Sequence, residues 1–272
     1  MTWSQRQVAM LAEIGIRLWL PATANADQRR ADASPADPAL PARASARPVA
    51  AATRSAVERK STPPAVASNS GPRSRPSGVE TMDWPALRAA VAGCTACKLC
   101  ETRRQTVFGV GHESAHWMII GEAPGEQEDR QGEPFVGKAG QLLDNMLRCV
   151  DLTRQSAPPE RQVFIANTLK CRPPGNRNPE PEELAQCEPF LQRQIALVRP
   201  RIIVAMGRFA VQSLLRTTDA IGRLRGRVHV YEGVPLVVTY HPAYLLRNPQ
   251  DKARAWEDLC LARDVLTRQP TR

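Results

Sequence analysis

From about residue 82 onward, short apolar runs alternate with mixed polar stretches. The runs are Trp117-Met118-Ile119-Ile120, Val163-Phe164-Ile165-Ala166, Ile202-Ile203-Val204-Ala205-Met206 and Leu236-Val237-Val238. Their length suits buried strands. They are apolar nearly throughout, as strands are when both faces of a sheet are covered. The strands are expected over about His116–Gly121, Val163–Asn167, Arg201–Gly207 and Leu236–Tyr240, with Val228–Tyr231 as a partner for the last. Between them, helical spacing predicts helices over about Trp84–Ala92, 138–150, Pro181–Val198, from past Gly207 to Leu215, and over Gln250–Leu266. Asp83 is placed to cap the first of these, and Pro85 is tolerated in its first turn. The alternation implies an α/β fold: a central, mainly parallel four-stranded sheet with helices on both faces.

The first 80 residues read differently. Residues 1–20 suggest an amphipathic helix of unassigned role, with Val8, Leu11, Ile14 and Leu18 on one face. Residues 21–80 are rich in Ala, Pro, Ser and Arg and hold few large apolar side chains, so an unfolded linker is expected. The packed domain is expected over 82–268. Glu13 and Arg17 interrupt the apolar stretch 8–20, leaving neither a clean export signal nor a membrane span. A cytoplasmic, monomeric protein is expected, nucleoid-associated if bacterial, with any partner of residues 1–80 unidentified. The net charge is +10. Residues 1–80 carry 11 Lys/Arg against 6 Asp/Glu, and the remainder 26 against 21. A basic balance suits a polyanionic partner such as nucleic acid. No GxGxxG or GxxxxGK[ST] follows a strand, so no nucleotide-phosphate cradle is supported.

Seven cysteines in a reducing compartment point to metal ligands or buried thiols rather than disulfides. Cys94 and Cys97 form a C-x2-C pair; Cys171 and Cys187 follow at a spacing of C-x15-C. That late spacing does not match the paired halves of a zinc ribbon. An iron–sulfur cluster accepts thiolates from scattered positions. Spacing alone leaves cluster, zinc and ordinary buried thiols open, and Cys100 makes a second C-x2-C with Cys97. Cys149 and Cys260 read as core residues.

The strand ends carry the candidate chemistry. The first leads into Gly121-Glu122-Ala123-Pro124-Gly125-Glu126-Gln127-Glu128-Asp129, an acidic loop where open α/β sheets bind ligands. The second ends in Asn167, whose planar amide can pair with O4 and N3–H of a uracil but not with the edge of a cytosine. The fourth ends in His241-Pro242-Ala243-Tyr244-Leu245-Leu246-Arg247. Here His241 can donate to charge developing in a transition state. Leu245 and Leu246, in a loop between prolines, resemble a wedge entering a base stack, with Arg247 on a phosphate. Pro134-Phe135-Val136-Gly137-Lys138-Ala139-Gly140 opens a helix, where Phe135 can stack on a base and the helix N-terminus, with Lys138, suits a phosphate.

Taken together and in this order, the Gly121–Gly125 loop, the Pro134–Gly140 segment, Asn167 with Lys170-Cys171-Arg172-Pro173-Pro174, and His241–Arg247 resemble the iron–sulfur, or family 4, uracil-DNA glycosylases over about residues 90–266. The resemblance implies a monofunctional glycosylase that removes uracil from double- or single-stranded DNA and leaves an abasic site for base excision repair. It implies a structural [4Fe-4S] cluster on Cys94, Cys97, Cys171 and Cys187. Phe135 would stack on the flipped uracil, Asn167 would read its edge, His241 would stabilise the leaving anion, and Glu128 would crowd the C5 position against thymine. Ala123 stands where other families of the superfamily place a water-activating Asp, so Glu122 is the nearest candidate carboxylate. Two alternatives accompany this reading: a non-catalytic iron–sulfur protein that binds DNA or a repair partner, and a glycosylase of shifted base preference, such as hypoxanthine.

Overall fold

A computed structural model describes residues 75–269 together with Met10 and Glu13. The remainder of the expected helix over 1–20, and the linker expected over 21–80 up to residue 74, lie outside the described residues. One six-stranded sheet dominates, with strands β1 (Val110–Gly111), β2 (Trp117–Gly121), β3 (Phe164–Asn167), β4 (Ile202–Met206), β5 (Val228–Tyr231) and β6 (Val234–Thr239) in the order β1-β3-β2-β4-β6-β5. The central four, β3-β2-β4-β6, run parallel, while β1 and β5 are antiparallel edges. The expectation of a four-stranded sheet is thereby corrected to a mixed six-stranded one. The edge β1 escapes a pattern reading because two residues carry no periodicity. The edge β5 exposes Val228 and Val230 and so lacks the apolar run of a central strand.

Helices cover both faces. They are α1 (Trp84–Ala92), α2 (Leu99–Thr102), α3 (Glu126–Gln131), α4 (Gly137–Arg148), α5 (Pro181–Val198), α6 (Arg208–Leu215), α7 (Ile221–Leu224), α8 (Pro242–Arg247) and α9 (Lys252–Arg268). Side-chain alternation along the strands divides the core in two. Trp117, Ile119, Ile165, Val204 and Val237 face α4 and α9; Met118, Ile120, Ala166, Ala205 and Val238 face α5 and α6. Asp83 caps α1 by accepting from the Ala86 amide at 3.0 Å. A third apolar cluster gathers Val79, Leu87, Val91 and Leu99 with Leu169, Phe190 and Cys94, Cys171 and Cys187.

Two local expectations change. The acidic loop after β2 winds into α3, whose first turn carries Glu126, Glu128 and Asp129. Acidic groups there complement the positive end of the helix dipole. The segment expected as a loop between prolines is α8: His241 caps it, Pro242 opens it, and Leu245 is turned into the core at 1% exposure. Leu245 is therefore a packing residue, and the exposed leucine is Leu246 at 43%.

Candidate active site

Four parallel strands end on the same edge of the sheet. Because β2 has β3 on one side and β4 on the other, the chain crosses over here in both directions, which opens a crevice beyond the strand ends. Register puts Gly121 beside Asn167. Gly207, just past β4, donates its amide to the Thr239 carbonyl, which brings the ends of β4 and β6 together. The loops are fastened to one another: the Thr168 amide donates to the Gly121 carbonyl, and both the Leu169 amide and Thr168 Oγ1 donate to the Glu122 carbonyl.

Asn167, Phe135 and His241 converge on this edge. A Cβ on Gly121 would lie 2.4 Å from Asn167 Oδ1 and 2.5 Å from the Phe135 ring. Only glycine lets both side chains close over the strand end. Asn167 is buried, and among the described residues its Oδ1 has no hydrogen-bond partner. A buried amide oxygen left unpaired costs about 1–3 kcal/mol, so this acceptor is suited to a donor that arrives from outside. The Phe135 ring stacks on His241, with centroids 5.1 Å apart and planes at 26°. Phe135 takes a left-handed backbone, φ 54°, a strain of about 1–3 kcal/mol for a bulky residue. Gly140 makes room for that bend, since a Cβ there would lie 1.7 Å from the Phe135 carbonyl oxygen.

His241 Nδ1 accepts from the Ala243 amide at 3.2 Å. This fixes the neutral tautomer that carries its proton on Nε2. Burial, aided by the Arg247 charge, lowers its pKa to about 4, so the ring is a neutral donor at physiological pH.

The carboxylates take different positions. Glu128 Oε1 accepts from the Val136 amide at 3.0 Å, tying α3 to the segment that carries Phe135. Burial raises the pKa of Glu122, opposed by the Arg208 charge and by a hydrogen bond from the Phe209 amide. Glu122 therefore faces the start of α6. Ala123 is half-buried at the border of the cysteine-rich cluster. Lys138, Leu246 and Arg247 are exposed, Lys138 at the start of α4 and the other two at the end of α8.

The cysteines lie behind this edge. Cys94, Cys97, Cys100, Cys171 and Cys187 line one narrow pocket with Arg103, Lys170 and Phe190. Among the described residues no three such groups converge as they would on a single ion. Burial pushes the Cys187 thiol up to about 12 and the Cys171 thiol up to about 11, each also raised by neighbouring cysteines. Arg103 Nη1 donates to Cys171 Sγ at 3.1 Å. Cys94, Cys97, Cys171 and Cys187 share one mostly apolar pocket with Arg103 at its rim, a soft-donor set of the type that iron–sulfur clusters take.

Three side chains near this edge were given no role from the sequence. Arg154 clamps the Phe135 segment, donating to Asp144, Glu133 and the Pro134 carbonyl. An isolated arginine in a turn carries no pattern that would announce this. Arg208, exposed beside the end of β4, faces Glu122. The polar close of that strand, Gly207-Arg208, was the available signal. Lys170 is buried, with its pKa lowered by burial to about 8.

The family model for the uracil DNA glycosylase superfamily matches residues 108–260. The type-4 uracil-DNA glycosylase of Archaeoglobus fulgidus is 44% identical over 168 residues, spanning 59% of this chain and 81% of the relative. That of Saccharolobus solfataricus is 40% identical over 189 residues, 66% and 85% of the two chains. That of Thermotoga maritima is 39% identical over 183 residues, 66% and 92%. With more than half its length inside the family model and these relatives matched over most of theirs, the chain belongs to the uracil-DNA glycosylase superfamily, in its type-4 branch.

Proposed function

We propose that the protein hydrolyses the N-glycosidic bond of uracil in DNA, leaving an abasic site and so initiating base excision repair. The observation that carries this reading is the unpaired, buried Oδ1 of Asn167 beside the Phe135 ring. Uracil brings a proton at N3 to that acceptor, whereas cytosine has none. A mismatch of this kind at a buried polar group is strongly discriminating.

The base must leave the duplex to reach these groups, and uracil paired with guanine gives up less pairing on leaving. Phe135 offers its face to the flipped ring. As the glycosidic bond stretches, negative charge gathers on the uracil oxygens and the sugar becomes cationic. His241, held with Nε2–H outward by its bond from Ala243, donates to that charge. Water adds to the sugar, and Glu122, in the loop that follows β2, is the candidate carboxylate to orient it. Glu128 fixes the approach of α3 to the Phe135 segment, which suits a role in limiting bulk at the C5 edge. Lys138, Arg247 and Arg208 offer cations to phosphates around the crevice, and Leu246 is the side chain available to fill the gap left by the flipped base. Among the described residues no helix is long and apolar enough to cross a membrane.

Cys94, Cys97, Cys171 and Cys187 would hold a [4Fe-4S] cluster. When bound, it supplies a rigid joint between the arm before β1 and the arms after β3 and in α5. Hydrolysis requires no electron transfer, so its role is structural. The test is release of free uracil from single-stranded DNA and from a uracil:guanine duplex by cluster-loaded protein. Intact DNA in both would overturn the proposal.

A further inference from the structure

The cysteine cavity and the uracil-facing edge are joined by one buried side chain. Lys170 lies one residue before Cys171, and its amide donates to Cys187 Sγ at 3.3 Å. Its side chain turns the other way. Nζ donates to the backbone carbonyl of Asn167 at 2.7 Å and to Gln194 Oε1 at 2.6 Å. Gln194, itself fully buried on α5, is held in turn by donating to the Phe108 carbonyl at 2.9 Å. The Lys170 carbonyl accepts from the Val107 amide at 2.8 Å. Every polar atom of this residue is thus committed, and it is 1% exposed.

We propose that Lys170 is a positioning residue for uracil recognition, setting the orientation of Asn167 from the cysteine-bearing arm. The residues after Asn167 are held by the β2 loop through the Thr168 and Leu169 amides. The Asn167–Thr168 peptide is thus held at both ends, its N–H by the Gly121 carbonyl and its C=O by Lys170, which reaches it from the cysteine-bearing arm. With Phe135 and Gly121 crowding the side chain, a tilt of that peptide moves the recognition amide directly. A displacement of the order of 1 Å at a recognition group can cost about 100-fold in rate. Lys170 adjoins Cys171 and bonds Cys187, two of the cysteines that would hold the cluster, so a bound cluster would fix the base of the strut.

The inference rests on Asn167 facing the uracil edge, and the experiment separates the two. Asn167→Ala, Lys170→Met and the double variant are compared with the wild type as cluster-loaded proteins, matched by iron and sulfide content. Single-turnover uracil release, inhibition by free uracil and affinity for abasic-site DNA are measured. Lys170→Met is expected to lose about 10- to 100-fold in rate and to weaken free-uracil inhibition comparably, with abasic-site DNA bound as by the wild type. The double variant is expected to be little worse than Asn167→Ala, because coupled residues are non-additive. Unchanged uracil inhibition in loaded Lys170→Met, even with a lowered melting temperature, would overturn the proposal. So would losses that multiply in the double variant. Should Lys170→Met fail to take up the cluster, Gln194→Leu removes the other anchor of Nζ without adjoining a ligand. It is expected to show the same selective loss of uracil affinity, and wild-type inhibition there would overturn the proposal. If Asn167→Ala itself excises uracil normally, the reading of the site fails independently of Lys170.

Discussion

At the scale of single residues, His241 gives the sharpest test. Its ordinary pKa near 6.5 falls to about 4 in the folded protein through burial and Arg247. Between these values the unfolded chain binds a proton that the folded chain does not. The contribution of His241 to stability is therefore complete above about pH 6.5 and is lost as pH falls toward 4, amounting to about 2 kcal/mol by pH 5. Urea unfolding at pH 7.5 and pH 5 should show a loss larger by this amount in the wild type than in His241→Gln, since His116, also lowered by burial, contributes to both; equal losses would remove the neutral imidazole from the account. Uracil release should stay level from about pH 8 down to about pH 5, where the ring is still neutral. A rate rising through pH 6.5 on acidification would instead require imidazolium. Gly121→Ala is a second test. Its methyl would meet Asn167 and Phe135 together. The expected result is a loss of about 100-fold or more in uracil release against a destabilisation of about 1–3 kcal/mol, read from single-turnover rates and thermal melts. Asn167 and His241 were legible because polar residues closing apolar strands are conspicuous. Arg154 and Lys170 were not, because their meaning lies in partners that only the folded chain brings within reach.

At the scale of elements, apolar runs announced the four central strands because each is buried on both faces. The edges were less legible, since β1 pairs over two residues and β5 keeps one face in solvent. The shift of Leu245 from wedge to core has a similar origin. A segment of six residues between two prolines gives too little sequence to reveal helical periodicity, yet the His241 cap makes it helix. The segment bearing Phe135 shows how elements hold a strained residue. Arg154 bonds Asp144 on α4 and the Pro134 carbonyl, while Glu128 on α3 holds the Val136 amide. Its left-handed backbone is thus fixed from both sides. Arg154→Met should leave the sheet intact, cost about 1–3 kcal/mol from the stranded acceptors, and slow uracil release about 10-fold as Phe135 loses its seat. Circular dichroism, melting and single-turnover rates test this together, and an unaltered rate would confine Arg154 to stability.

At the scale of the whole molecule, the sheet separates labour. The candidate recognition and catalytic groups, Asn167, Phe135 and His241, stand at the C-terminal edge of its parallel strands, the cysteine pocket lies behind that edge, and exposed cations and Leu246 stand around it. This arrangement predicts that loss of contact with DNA will not look like loss of catalysis. Removing the Arg247 charge, as in Arg247→Gln, should weaken binding to uracil-containing and uracil-free DNA alike and lower the slope of log affinity against log salt by about 1. Leu246→Ala and Leu245→Ala should diverge although they are neighbours. Truncating the buried Leu245 opens a cavity in the core and should cost about 2–5 kcal/mol of stability. Truncating the exposed Leu246 should leave the melting temperature near the wild-type value. It should slow uracil release from a duplex, where a gap must be filled while the base is out, and spare release from a single strand, where no stack needs to be parted. Equal losses on both substrates would show that Leu246 does not enter the stack, and the wedge would then have to be sought on another element at the rim.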